Sequence, residues 1–258
     1  MLKTYRLNKS KNYIINKFKN DWKNTDNKIF YFTSANLAKQ DVRDFYTSFF
    51  NNNIEFKNFA EDAQIKDRNN QRTNSIWMEV RFDPKIKNAY RHSSSSQPLH
   101  TDGSYIKKYT NSTLMCCVKN NTRRGETTFI SGNDLFKILK KKNNDLLKNI
   151  LKFNIIHSRS GDTKRSKILY RYKNIWKLNW NFFCVKKNQN LKIRNIVNDF
   201  KFFLDNDKDI KKKIVPIKMK TGDALVWKDS EVLHGRNGFV ANKVSDRFIW
   251  KCAANFGR

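Results

Sequence analysis

The chain has 258 residues, 38% of them hydrophobic and 14% aromatic, which is enough apolar material for one sizeable core and argues against a disordered chain. Its 53 Lys and Arg against 23 Asp and Glu give a formal charge of +30, which raises nucleic acid or an anionic surface as a partner without deciding it. No apolar run suits a signal peptide or a membrane span, and Cys116, Cys117, Cys184 and Cys252 form no CxxC pair, so a soluble cytoplasmic protein with reduced, mostly buried thiols is expected.

The basicity has a second explanation. The chain is crowded with Asn, Ile and Phe and has only 8 Gly and 3 Pro, the bias of AT-rich codons, so much of the Lys reads as solvated surface. In residues 1–33 the runs Tyr13-Ile14-Ile15 and Ile29-Phe30-Tyr31-Phe32 predict edge strands. Ser34 reads as the N-cap of a helix through Leu37, Val42, Phe45 and Phe49. The polar stretch from Asn51 to Asn74 reads as a loop or lid, and Ile76–Phe82 alternates as a strand that Pro84 ends.

His92 and Ser93–Ser96 form a loop that leads into Gln97-Pro98-Leu99-His100-Thr101-Asp102-Gly103. Thr113–Val118 is a continuous apolar run of the kind found in a buried strand, with Arg124–Ile130 expected as its hairpin partner across Asn120-Asn121. Asn133 or Asp134 is expected to cap one helix carrying Leu135, Ile138, Leu139, Leu146, Leu147 and Ile150. Strands follow at Phe153–His157, Ile168–Tyr172 and Trp176–Trp180, then a helix from about Leu191 to Leu204. His157 on its strand reads as a hydrogen-bonded core residue rather than a ligand. Val215–Ile217, Ala224–Trp227 and Asp246–Phe256 complete the strands. Many short strands and no Gly-rich phosphate loop predict a mainly β fold with flanking helices.

The chemistry concentrates at two places. In an extended chain residues two apart point to one side, so His100 and Asp102 present an imidazole and a carboxylate together. A second imidazole from Leu233-His234-Gly235-Arg236 would complete a 2-His-1-carboxylate set, which occupies one face of an octahedral ion and leaves the other open for Fe(II) and oxygen chemistry.

Taken in order, His100-Thr101-Asp102, Arg124-Gly125-Glu126-Thr127, Gly222-Asp223, Leu233-His234-Gly235-Arg236 and Arg247 resemble the taurine dioxygenase and clavaminate synthase-like superfamily. The resemblance implies a double-stranded β-helix, or jelly roll, from about 76 to 256 within a single domain spanning 1–258. It implies Fe(II) held by His100, Asp102 and His234, with 2-oxoglutarate as cosubstrate and O2 as oxidant. Thr127 would hydrogen-bond the cosubstrate, and Arg247, thirteen residues past His234, would clamp its far carboxylate with a guanidinium fork. Arg124 stands where the family's motif has its first glycine. The His-Thr-Asp-Gly-Ser-Tyr run is most similar to the glutarate hydroxylase branch.

The leading expectation is therefore hydroxylation of a small amino acid or carboxylic acid, with succinate and CO2 as coproducts. Because Asp102 supplies the carboxylate that halogenases of this class lack, halogenation is disfavoured. The same chemistry on a nucleic-acid or protein substrate, and a non-catalytic basic nucleic-acid-binding protein, are the alternatives that the charge keeps open. Dispersed Lys speaks against both.

Overall fold

In the computed structural model, residues 1–33, 37, 41–50, 54–57, 77–86 and 89–256 are described. The larger of two facing sheets runs β1 (Leu2–Arg6), β2 (Ile29–Thr33), β14 (Ala224–Lys228), β6 (Ser112–Asn120), β17 (Arg247–Phe256), β3 (Ile54–Lys57), and β4 (Met78–Arg81) also pairs with β17. The smaller runs β13 (Val215–Ile217), β8 (Thr127–Ser131), β15 (Val232–Arg236), β5 (Gln97–His100). Two-stranded ribbons pair β7 (Arg123–Arg124) with β16 (Phe239–Val240), β9 (Ile155–Arg159) with β10 (Asp162–Ser166), and β11 (Leu169–Tyr172) with β12 (Ile175–Leu178). The result is an open jelly roll with flanking helices, as the sequence implied, and the two sheets do not close into a barrel.

Strand alternation sorts the core into three layers. Met115, Cys117, Phe129, Trp227, Val232 and Ile249 fill the space between the sheets. Their neighbours Leu114, Cys116, Val226 and Trp250 face outward from the larger sheet onto α1 (Lys11–Lys23) and α2 (Val42–Phe50). Cys116 and Cys117 thus lie on opposite faces of β6, and all four cysteines are buried. Ile130 and Leu233 face outward from the smaller sheet onto α3 (Gly132–Lys142), α4 (Asn144–Lys152) and α5 (Leu191–Asn206), with α6 (Lys208–Lys213) packed beside them. Among the described residues, no helix is long and apolar enough to cross a membrane.

Several expectations are corrected. Tyr13-Ile14-Ile15 lies in α1, where the Ser10 side chain accepts from Tyr13 N and Ile14, Ile15 and Phe18 share the buried face. Ile29–Thr33 is a strand but an interior one, flanked by β1 and β14. Arg124–Ile130 is not the hairpin partner of β6. Arg124 and Gly125 take left-handed φ values of 67° and 81°, and the chain crosses at that turn into the smaller sheet. The single helix expected from Leu135 to Ile150 breaks at Asn143, whose φ of −152° ends α3 and whose side chain caps α4. Ser131, rather than Asn133 or Asp134, caps α3. Within the polar stretch expected as a loop, Ile54–Lys57 is a strand. The rest of Asn51–Asn74, the Ser34 cap and Ile76 lie outside the described residues.

Candidate active site

His234 in β15 is paired directly with His100 in β5 on one side and with Phe129 in β8 on the other. Alternation then places Arg236, Thr127 and Phe129 on the same inward face as the two histidines. The pairing of β15 with β5 shifts by one residue between His234 and Arg236, so Gln97 pairs with Arg236 while His100 pairs with His234. Pro98, with no N–H to give the ladder, lies inside that irregularity. The strands approach so closely that a Cβ on Gly235 would stand 2.6 Å from the Gln97 carbonyl oxygen.

Asp102 lies just beyond β5, in a turn rather than on the strand. Thr101 is tied to Trp180 by its backbone N–H, at 2.6 Å, and its Oγ1 accepts from Trp180 N at 3.1 Å. Gly103 takes φ 51° against the Tyr109 ring, which any Cβ would strike at 2.2 Å. These contacts bend the chain so that the Asp102 carboxylate meets both imidazoles: Oδ1 is 3.8 Å from His100 Nε2, and Oδ2 is 3.6 Å from His234 Nε2. Ligand atoms of His100, Asp102 and His234 all lie within 4.8 Å of one another, a spacing a divalent ion spans.

Orientation of the rings fits that use. His100 Nδ1 lies 2.9 Å from the Pro98 carbonyl, to which it donates, so Nε2 carries the lone pair and accepts from the Gln97 side-chain amide at 3.2 Å. His234 Nδ1 has no hydrogen bond but lies 3.8 Å from Asp229 Oδ1, the carboxyl oxygen that accepts from Asp102 N and Trp227 Nε1, each at 3.3 Å. Burial depresses the titration of both histidines, so both rings are neutral at pH 7, the state a ligand needs. Burial acts to raise the Asp102 carboxyl, but Lys251, then His234 and His100, outweigh it and hold the group below the usual carboxylate range. With both rings neutral, the working cation is Lys251, whose Nζ donates to Oδ1 at 2.7 Å and ion-pairs with Oδ2 at 2.6 Å. Asp229 is pushed well above the usual carboxylate range by burial and by Asp102.

A second group of residues sits farther along the same inward face. Thr127 pairs with Arg236 across β8 and β15, and both are buried. The guanidinium carbons of Arg236 and Arg247 lie 5.0 and 5.7 Å from the centre of one ring, Phe239. Among the described residues neither arginine is ion-paired, and the Nε of each lacks a hydrogen-bond partner. Burial lowers Arg247 to about 10; burial and then Arg247 lower Arg236 to about 9, and both remain cations at neutral pH. Arg236 Nη2 is taken by the carbonyls of Ser93 and Ser95, at 2.9 and 2.6 Å, so Arg247 is the freer of the two to grip an anion. No hydrogen bond joins Thr127 to Arg247; they are related through Arg236 and Phe239.

The family model of the taurine catabolism dioxygenase TauD, TfdA family matches residues 26–253. The chain belongs to this family. The family is one of dioxygenases, and His100, Asp102 and His234 form a cluster that could hold a metal ion. No curated protein sequence matches it. Among solved structures, asparagine oxygenase in complex with Fe(II), 3-hydroxyasparagine and succinate superposes with a TM-score of 0.57 at 9% identity, covering 70% of this chain and 57% of that one. The non-heme iron oxygenase OrfP in complex with Fe and alpha-ketoglutaric acid gives 0.65 at 11% identity, covering 96% and 79%. PvcB from Pseudomonas aeruginosa gives 0.60 at 14%, covering 88% and 75%. These are likenesses of fold. The chain spans little more than half of asparagine oxygenase.

The sequence reading passed over Lys251, Asp229, Gln97 and Phe239. A signal for Lys251 was present: Arg247, Ile249 and Lys251 alternate along one strand, so whatever faces Arg247 also faces Lys251. His157, fully buried on β9 and 3.3 Å from the Asn179 amide nitrogen, stands outside the triad, as expected. His92 is likewise buried, its Nδ1 2.9 Å from the Arg81 carbonyl.

Proposed function

We propose that this oxygenase hydroxylates an unactivated C–H bond of a small amino acid or carboxylic acid, within one domain spanning 1–258. In this reading His100, Asp102 and His234 hold Fe(II), and Thr127 and Arg247 bind 2-oxoglutarate. The observation that carries it is the convergence of two imidazoles and one carboxylate, while the buried Arg247, without an ion pair among the described residues, lies on β17 of the facing sheet. A dicarboxylate reaching from the first group to the second would satisfy both. Asparagine oxygenase and OrfP, which bind amino-acid products or 2-oxoglutarate on the same fold, support the substrate class.

When bound, iron with O2 supplies the oxidising power that removes CO2 from 2-oxoglutarate and hydroxylates the substrate. The chain's share is placement. Pro98 fixes the His100 tautomer through its carbonyl, and Thr113 Oγ1 holds Asp102 Oδ2 at 3.1 Å. Arg247 supplies a fixed positive charge on a desolvated wall, where a charge-assisted bond to a carboxylate is strong. Phe129 and Trp227, whose ring centres lie 6.4 and 4.9 Å from that of His234, exclude water on that side. Four reduced cysteines suit a cytoplasmic location.

The test is a screen of amino acids and small acids with anaerobically loaded Fe(II), reading succinate release together with product mass. A substrate that gains one oxygen atom with stoichiometric succinate supports the reading. Succinate release tied only to a nucleic acid or a protein would replace the substrate class.

A further inference from the structure

We propose that Lys251 is an internal rival of the metal for Asp102, so that the protein carries its own cation in the site and loading requires that cation to yield. The inference rests on the metal-site reading above. Its basis is that one ammonium group donates to Oδ1 of the carboxylate at 2.7 Å and ion-pairs with Oδ2 at 2.6 Å. A ligand oxygen needs a free lone pair directed at the metal, and here the ammonium takes one on Oδ1 and lies directly against Oδ2. The two are placed to compete because β17 directs Lys251 inward, two pleats from Arg247, while its backbone is fixed by pairing with Met115 and Met78.

The counter-cation has an energetic reason. Asp102 is largely buried. Without a cation the site would hold a desolvated negative charge whose hydrogen bond comes from Thr113, and buried charges left unpaired are strongly destabilising. Lys251 thus stabilises the metal-free fold. When a dication arrives the same ammonium opposes it, both by repulsion at short range and by the hydrogen bond that must be given up. A residue that merely held the carboxylate in place would act the other way, since its removal would disorder a ligand. Thr113 keeps Asp102 oriented independently of Lys251, so the two roles predict opposite signs.

The experiment is a cobalt(II) titration of the full-length protein, followed by its visible absorption under anaerobic conditions. Wild type, K251M, K251Q and H100A are compared, with melting temperatures measured with and without cobalt. K251M is expected to bind cobalt at least about tenfold more tightly than wild type, to melt lower without metal, and to gain more from metal than wild type does. K251Q, uncharged but still able to hydrogen-bond, is expected to shift the same way and serves if K251M is insoluble. Unchanged or weaker cobalt affinity in the soluble Lys251 variant, beside a wild-type site that H100A destroys, overturns the rivalry and leaves the metal site standing. A wild type without any His100-dependent cobalt site overturns both.

Discussion

Replacing His100, Asp102 or His234 by alanine removes one of three converging donors, so each variant is expected to fold yet lose bound iron, substrate oxidation and 2-oxoglutarate decarboxylation together. Metal content by atomic absorption checks this, and H157A, altered outside the triad, should keep its iron. Arg247→Ala should raise the apparent 2-oxoglutarate constant by roughly ten- to a hundredfold while iron binding survives, as the loss of one charge-assisted bond implies. Arg236→Ala, whose guanidinium is engaged with the serine turn, should move that constant less; the reverse order would transfer the clamp to Arg236. His157 makes a further prediction. Burial, then Lys164, lowers its folded pKa to about 4, below the unfolded value, so the unfolded state takes up the proton first on acidification. Its contribution is fully present above about pH 6.5 and is lost as pH falls toward 4, up to about 3 kcal/mol. Urea midpoints across that window should fall, and H157Q should flatten the slope. At this scale the triad was legible because His-x-Asp and a distant His-Gly-Arg are rare combinations. Lys251 was not, since one lysine among 53 basic residues carries no signal until a strand pairing shows what it faces.

Among the elements, the turn at Arg124-Gly125 is where the chain leaves one sheet for the other. Arg124 holds φ 67° although it has a Cβ, a conformation that glycine adopts without the steric penalty. Arg124→Gly should therefore stabilise the protein by about 1 kcal/mol, once glycine's greater unfolded-state freedom is set against the relieved strain. Thermal melts check it, and a destabilised variant would mean that the arginine side chain contributes more than the strain removes. The same turn explains why a hairpin between β6 and the next apolar run was the wrong expectation: alternation identifies strands but is silent on which partner a strand meets. Helix α1 was missed for a different reason. Tyr13-Ile14-Ile15 is rich in strand formers, and the correct signal was Ser10 at the cap together with Phe18 one turn on.

For the whole molecule, the proposed single domain predicts one cooperative unfolding transition that secondary-structure and tryptophan signals report together. The first strands support this, since β1 and β2 complete the sheet that carries Arg247 and Lys251. The charge of +30 makes a separate prediction. If the lysines are solvated surface, raising salt from about 50 to about 500 mM should change turnover of a small substrate only a few-fold, whereas phosphate-backbone binding would produce a steep logarithmic fall. Residue Glu231, buried just ahead of β15, accepts from Lys28 near the N-terminus and from Lys177 in β12, so distant segments meet beside the site. Sequence can name such charges, but their meeting depends on the three-dimensional path.

The placement of β17 has a consequence in time. It follows the other described strands in chain order, yet it lies inside the larger sheet, paired with β6 along one side and with β4 and then β3 along the other. Until it arrives, β6 presents an open hydrogen-bonding edge and a row of apolar side chains to the cell. Folding must wait on pairings between segments far apart in sequence, which makes it slow. A chain cut short before Arg247 would then carry an adhesive edge and be a substrate for chaperones and proteases rather than a weakened enzyme.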